Sequence, residues 1–435
     1  MIKQESNLIN RQEMDLDVIK RFPNHLKYAK VQTYEMCLEA IERKGIVLGD
    51  VRWSDLNLSK GQVYNLCIKA VRKNGLALQY VKEQTKEMCL KAVKQDGLAL
   101  QFIHNQTEAL CIEALKQNGQ ALEFIKEQTE ELCLIAVKQD GYSLKHIKAQ
   151  TPEICIEAVR QNGLALKYVK EQTSEICLIA VKQNGLALKY VKEQTLRICI
   201  EAVKQDGYSL KYVKAQTPEI CLIAVNQNGN ALKNVNEQTI EICKEAVDKN
   251  ALALEFVENQ TKKICLEAVR RDGLALKYVK EQTEEICREA VRENGFALRH
   301  VKKQVPEICI EAVEQDKYAI RYVKWSKLEG KFLKEQLDEM CREALKCDRH
   351  LIDYIKDKEK YLEEFDIKYL EEQKGAQEVI AIKENGKWLF SIGCQEDIDL
   401  EEFIYRIYNE NGGFDLEKGI NVHRKIYLDF LKEFY

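Results

Sequence analysis

Cysteine recurs every 22 residues, at Cys67, Cys89, Cys111, Cys133, Cys155, Cys177, Cys199, Cys221, Cys243, Cys265, Cys287 and Cys309. A chain of 435 residues ordinarily suggests two or three domains. A fixed period of this length instead specifies an array of small units, each burying its apolar face only against its neighbours. The period therefore constrains the fold more tightly than any other feature of the chain.

Sixteen cysteines invite a disulfide or metal reading. The spacing opposes both. Equivalent positions on stacked helices lie roughly 8–10 Å apart, whereas a disulfide needs Cα atoms within about 7 Å. The chain has no CxxC and no paired Cys/His spacing of the zinc type. The ladder is read as small, buried, free thiols, which suits a reducing, cytoplasmic compartment. The first residues, MIKQESNLINRQEM, lack the apolar core of a signal peptide, and no apolar run is long enough to span a membrane. With 31% charged residues and a net charge of −3, no general attraction to nucleic acid or membrane is expected.

Residues 150–171, QTPEICIEAVRQNGLALKYVKE, show the unit. Thr151 is a helix N-cap, Pro152 suits the first helical position, and Glu153 favours the positive end of the helix dipole. Ile154, Cys155, Ala158 and Val159 form an apolar stripe at helical spacing. Gly163 reads as a left-handed C-cap that ends the helix. The second half, Leu164 to Glu171, admits two readings: a helix with Ala165, Leu166 and Val169 inward and Tyr168 at its edge, or a strand. Its Leu, Ala, Lys and Glu content favours a helix. The fold class expected is mainly α: an α-solenoid of stacked two-helix 22-residue repeats, with a small C-terminal α+β module.

The string AVKQNGLALKYV at 180–191 resembles the consensus of a family of short helical repeats of unknown function, found in bacterial, phage and large-virus proteins. The resemblance covers roughly residues 62–324. It implies stacked helical pairs, with no catalytic residues and no established partner. It also makes thinkable a phage or viral role in binding and blocking a bacterial enzyme or defence complex.

Departures from the period organise the rest. Residues 1–61 read as an N-terminal cap with the first divergent repeats, in which 11–32 is a degenerate copy with Pro23 in the glycine slot. Residues 62–325 are the regular array. Residues 326–375 are a divergent repeat followed by charged closing helices. Residues 376–435 are the α+β module, a hairpin turning at Asn385-Gly386 followed by two helices. The spacing stretches to 30 residues before Cys67 and to 32 before Cys341, and both insertions carry a similar string, VRWSDL at 51–56 and VKWSKL at 323–328. Trp53 and Trp325 either plug these interruptions or offer exposed anchors to a partner.

Little points to chemistry. The tail holds Cys394, His423 and Asp397 or Asp399, a weak Cys/His/Asp set in a module of about 60 residues with little room to enclose a substrate. The chain is read as a non-enzyme, with no metal, no cofactor and no small-molecule substrate. His146 and His300 stand in a mostly aromatic slot, to which Asn234 is the exception. Beside that slot runs a basic one, giving the pairs Lys167–Tyr168, Lys189–Tyr190, Lys211–Tyr212 and Lys277–Tyr278. These form either a platform for single-stranded RNA or DNA or a structural seam between repeats. Net charge is +3 over 128–215, −4 over 216–259 and +4 over 260–303. An acidic island containing Asp248, Glu255 and Glu258, followed by Arg270 and Arg271, interrupts any continuous phosphate track. A protein partner with patches of alternating sign fits such a surface better. The expected function is therefore a non-catalytic protein-binding scaffold, with nucleic-acid binding as the alternative.

Overall fold

The computed structural model describes residues 15–328, 330, 333–373, 376–392, 395–409, 414–415, 420–421 and 423–434. The chain forms two compact units, 1–237 and 238–435. The segment 1–14 and Cys394 lie outside the described residues.

In the first unit each regular repeat is a ten-residue α-helix, such as Pro152–Gln161, followed by a six-residue 3-10 helix, such as Gly163–Tyr168. The helical reading of the second half holds, in the tighter 3-10 form. Thr151 caps the α-helix, its hydroxyl accepting the Ile154 N–H at 3.4 Å. Ile154, Cys155, Ala158, Val159, Ala165, Leu166 and Val169 are all buried, as the spacing predicts.

The residue before the glycine makes the joint. Asn162 leaves the helix at φ −149°, its N–H donating to Ala158 O and its side chain accepting the Leu164 N–H. Ala165 N–H then donates to Asn162 O at 2.9 Å and opens the 3-10 helix. Gly163 corrects the sequence reading: it is not left-handed, since the glycines with positive φ among the described residues are Gly330 and Gly386. Glycine is needed because a Cβ there would lie 2.4 Å from Ala180 O on the next helix. The requirement is imposed by the neighbouring repeat.

The degenerate copy near the start repeats the pattern as Leu16–Arg21 and Pro23–Tyr28. Among the described residues two α-helices are longer than the rest, Lys60–Lys73 in the first unit and Lys334–Cys347 in the second. In both, an apolar residue, Val63 or Leu337, occupies the place of the capping threonine. Without that stop signal the helix runs one turn further back, to Ser59 or Leu333 as cap. Val305 also replaces the threonine, but Pro306 follows it and the helix still begins there, because a residue before proline resists the α conformation.

The second unit carries the same repeats from Ile240–Lys249 through Arg349–Tyr354, then a four-stranded antiparallel sheet. Its strands are β1 (Ile367–Leu370), β2 (Val379–Glu384), β3 (Lys387–Ile392) and β4 (Gln395–Asp399), in that spatial order. The predicted hairpin is present, with Asn385 at φ 50° and Gly386 at φ 80° in the β2–β3 turn. The closing-helix reading of 353–375 is corrected: helix is limited there to Arg349–Tyr354 and Glu359–Leu362, and β1 follows. Asp399 caps the helix Leu400–Asn409 by accepting the Glu402 N–H at 2.8 Å. This helix and Arg424–Leu431 cover one face of the sheet, where Phe390 stacks on Phe403 at 4.6 Å.

Candidate interaction surfaces

The aromatic slot is neither fully exposed nor core. Tyr168, Tyr190, Tyr212 and Tyr278 are half-buried at the ends of their 3-10 helices. Tyr168 meets Tyr142 of the preceding repeat edge-on, with centroids 6.0 Å apart. The exposed lysines Lys167, Lys189, Lys211 and Lys277 lie over their own tyrosines at 5.4, 5.7, 6.0 and 5.2 Å. Cation–π contact of this kind stabilises by about 0.5–1 kcal/mol at an exposed site. A second lysine row was not read from the sequence. Lys170, Lys192 and Lys214 each donate Nζ–H to the backbone carbonyl 22 residues earlier, at 2.9 Å every time. Their periodicity is visible, but their backbone acceptors are not.

In the second unit, Asp248 pairs with Arg271, and Arg270 reaches Glu289 at 2.7 Å. Glu255 and Glu258 are exposed on the 3-10 helix Ala251–Phe256 and the turn after it. Arg270 and Arg271 line a surface depression together with Lys244, Lys262 and Lys263. Five cations line it with two carboxylates, Glu267 and Glu285, and three of the five are already paired: Lys262 with Glu285, Arg270 with Glu289 and Arg271 with Asp248.

The two tryptophans differ. Trp325 donates its indole N–H to Tyr354 O at 2.7 Å. Trp53 lies in a one-turn 3-10 helix, Trp53–Asp55, and lines a cleft of about 690 Å³ in the first unit.

Of the tail residues weighed for catalysis, Cys394 lies outside the described residues. Asp399 is a helix cap, and His423 precedes the helix Arg424–Leu431. A different set comes together. His350 Nδ1 is 3.1 Å from Asp348 Oδ1, and its Nε2 is 3.0 Å from Ser391 Oγ. The arrangement resembles a Ser-His-Asp relay. However, Asp397 Oδ1 lies 3.5 Å from the same Nε2. A carboxylate beside the would-be nucleophile opposes the negative charge that an acyl intermediate develops. These contacts tie the 3-10 helix Arg349–Tyr354 to β3. No group of three or more His, Cys, Asp or Glu side chains suited to hold a metal occurs among the described residues. No helix among them is long and apolar enough to cross a membrane.

The sequence reading also missed a half-buried amide ladder. Five residues before each cysteine of the regular array stands a glutamine, as Gln172 stands before Cys177. Gln172 Nε2–H donates to Tyr190 O at 2.9 Å, and its Oε1 accepts the Lys192 N–H at 3.0 Å. Cys177 Sγ approaches the same Oε1 at 3.7 Å. Gln84, Gln150, Gln194, Gln216, Gln238, Gln260, Gln282 and Gln304 bond the equivalent three groups.

Comparison with known families matches the model described as "Domain of unknown function (DUF4116)" ten times in tandem, at 64–107, 85–128, 107–150, 129–174, 151–197, 173–216, 196–240, 239–283, 261–305 and 283–326. Each match spans two successive repeats. Comparison with curated proteins and with solved structures gives no match.

Proposed function

The chain belongs to the DUF4116 family of repeats, and on that premise we propose that it is a non-catalytic scaffold that binds another protein through the exposed faces of its stacked repeats. A helical repeat array of this kind suits a scaffold, since its uniform interior leaves variation to the surface. The observation that carries the reading is the depression at Arg270, Arg271, Lys244, Lys262 and Lys263. It favours an acidic segment of a protein partner, which complementary charge would steer and orient. The Asp397 carboxylate beside His350 and Ser391 supports the non-catalytic part.

The test is a pulldown with the full chain and with Lys262, Lys263 and Arg270 all changed to Glu. A stoichiometric partner captured by the parent and lost by the variant is the expected result. An identical partner set for both would overturn the assignment to this surface. The tyrosine–lysine pairs favour a second reading, a single-stranded nucleic-acid binder. That reading requires retention on immobilised RNA that falls steeply with salt, and absence of retention at low salt would end it.

A further inference from the structure

The cleft beside Trp53 lies where the amide ladder skips a rung. Gln62 stands five residues before Cys67, the ladder position. Because Val63 replaces the capping threonine, the helix Lys60–Lys73 draws Gln62 into its first turn. There Gln62 Oε1 accepts the Ser59 N–H at 2.9 Å in a capping box. The groups Gln62 would otherwise bridge are Tyr80 O, the Lys82 N–H and the Cys67 thiol. Among the described residues none of the three has a hydrogen-bond partner, and all three residues line the cleft. The preceding rung is complete, with Gln32 holding Asp50 O, the Arg52 N–H and Cys37. At the other interruption Gln336 is likewise drawn into its helix, and the Trp325 indole N–H serves Tyr354 O in its place. Trp53 makes no such bond to Tyr80 O, and Tyr80 is 40% exposed.

We propose that this cleft is a recognition site for a primary carboxamide, the side chain of a glutamine in an apolar segment of a protein partner. The amide NH₂ donates to Tyr80 O, and its carbonyl accepts from the Lys82 N–H and the Cys67 thiol. This is the geometry Gln84 adopts with Phe102 O, the His104 N–H and Cys89 at 2.7, 3.2 and 3.8 Å. Trp53, Leu56, Val63 and Val81 give the flanking apolar side chains a surface. A cleft of this size lies within the range of small-ligand and side-chain sites, roughly 300–1,000 Å³. The proposal rests on the protein-binding reading above but uses a different surface, in the other unit of the chain.

The test titrates the ¹⁵N-labelled full chain with the peptide acetyl-Leu-Gln-Leu-N-methylamide and with its Glu counterpart. The Trp53 indole N–H resonance, assigned through Trp53→Phe, reports binding. The glutamine peptide shifts it saturably. The glutamate peptide binds at least about tenfold more weakly, since a carboxylate cannot donate to Tyr80 O and leaves that carbonyl unpaired. Val63→Thr restores the Gln-Thr pair found in the regular copies, frees Gln62 to fill the rung from within, and abolishes the response. Equal shifts with both peptides, no shift with either, or undiminished binding by Val63→Thr overturns the proposal. Loss of the partner in the Lys262/Lys263/Arg270 pulldown bears on the other surface alone, so the two readings fail separately.

Discussion

The ladder cysteine is a donor as well as a small filler. At Cys37, Cys89 and from Cys155 to Cys309 its Sγ lies 3.5–3.9 Å from the amide oxygen of the glutamine five residues earlier, while its carbon side packs in the core. Burial pushes the Cys37, Cys67 and Cys287 thiols up to about 11 and Cys309 to about 12, from an ordinary 9.0. An acid whose folded value is raised keeps its proton in the native state after the unfolded chain has lost it. Between about pH 9 and 11 the unfolded state therefore binds fewer protons, and stability falls as pH rises. We expect the melting temperature to be level below about pH 8 and to drop progressively above about pH 9. Replacing Cys287 and Cys309 with Ala lowers stability at neutral pH but flattens the alkaline decline. Thermal melts across that range check it, and an unchanged slope in the variant would show that these two thiols are not its source. Spacing alone made the burial and the absence of disulfides legible. The hydrogen bond was not legible, because the glutamine that accepts it is oriented by backbone groups 18 and 20 residues further on.

At the scale of the element, what could be read was what is local. Threonine caps, the proline at the first helical position and the 3.6-residue stripe are properties of one helix and its own sequence, and each appears where expected. The Asn-Gly and Asp-Gly joints are different. Glycine after a helix usually means a left-handed cap, yet Gly163 is held by the closeness of Ala180 O in the next repeat. Replacing Gly163 with Ala should cost about 1–3 kcal/mol, the range for forcing a methyl into a packed contact. Ala251 shows that the array can accept a buried methyl at this slot, so the variant should remain folded. Because each repeat leans on its neighbours, hydrogen exchange should quicken in 152–168 and 174–190 and stay unchanged several repeats away within the same unit. A uniform change across the unit would mean that the close approach is not the operative constraint. The long helices Lys60–Lys73 and Lys334–Cys347 follow the same logic. Val63 and Leu337 can be seen in the sequence, but the missing rung they create becomes visible only once the ladder is known.

At the scale of the whole molecule, the repeat grammar ends in a module built on a different plan, and the second unit joins the two through its last 3-10 helix, Arg349–Tyr354. Arg349 donates to Lys383 O at 2.9 Å and meets Glu384 at 2.8 Å, both at the β2 end of the hairpin. His350 reaches Ser391 on β3 and Asp397 on β4. The hairpin was legible from Asn385-Gly386, whereas β1 was not, because IKYL lies within a charged run of helix-forming residues and becomes a strand only by pairing with β2. The joint is polar and half-exposed, so its strength lies in several hydrogen bonds formed together. Changing Arg349 and His350 to Ala removes these bonds and leaves the sheet's own core of Val379, Ala381, Phe390 and Phe403 intact. The expected result is faster hydrogen exchange and proteolytic cleavage in 354–366, with protection of β2 and β3 reduced but not lost. The repeats from 240 to 300 should exchange as before, since they contact the joint only through the repeat whose Arg321 lies over Tyr354 at 5.1 Å. If β2 and β3 instead exchange fully in the double variant, the module depends on the last repeat for its folding, and Arg349 and His350 are part of its core support. If nothing changes, apolar packing between the last repeat and the sheet holds the joint, and the Asp348–His350–Ser391 chain must be retained for another reason.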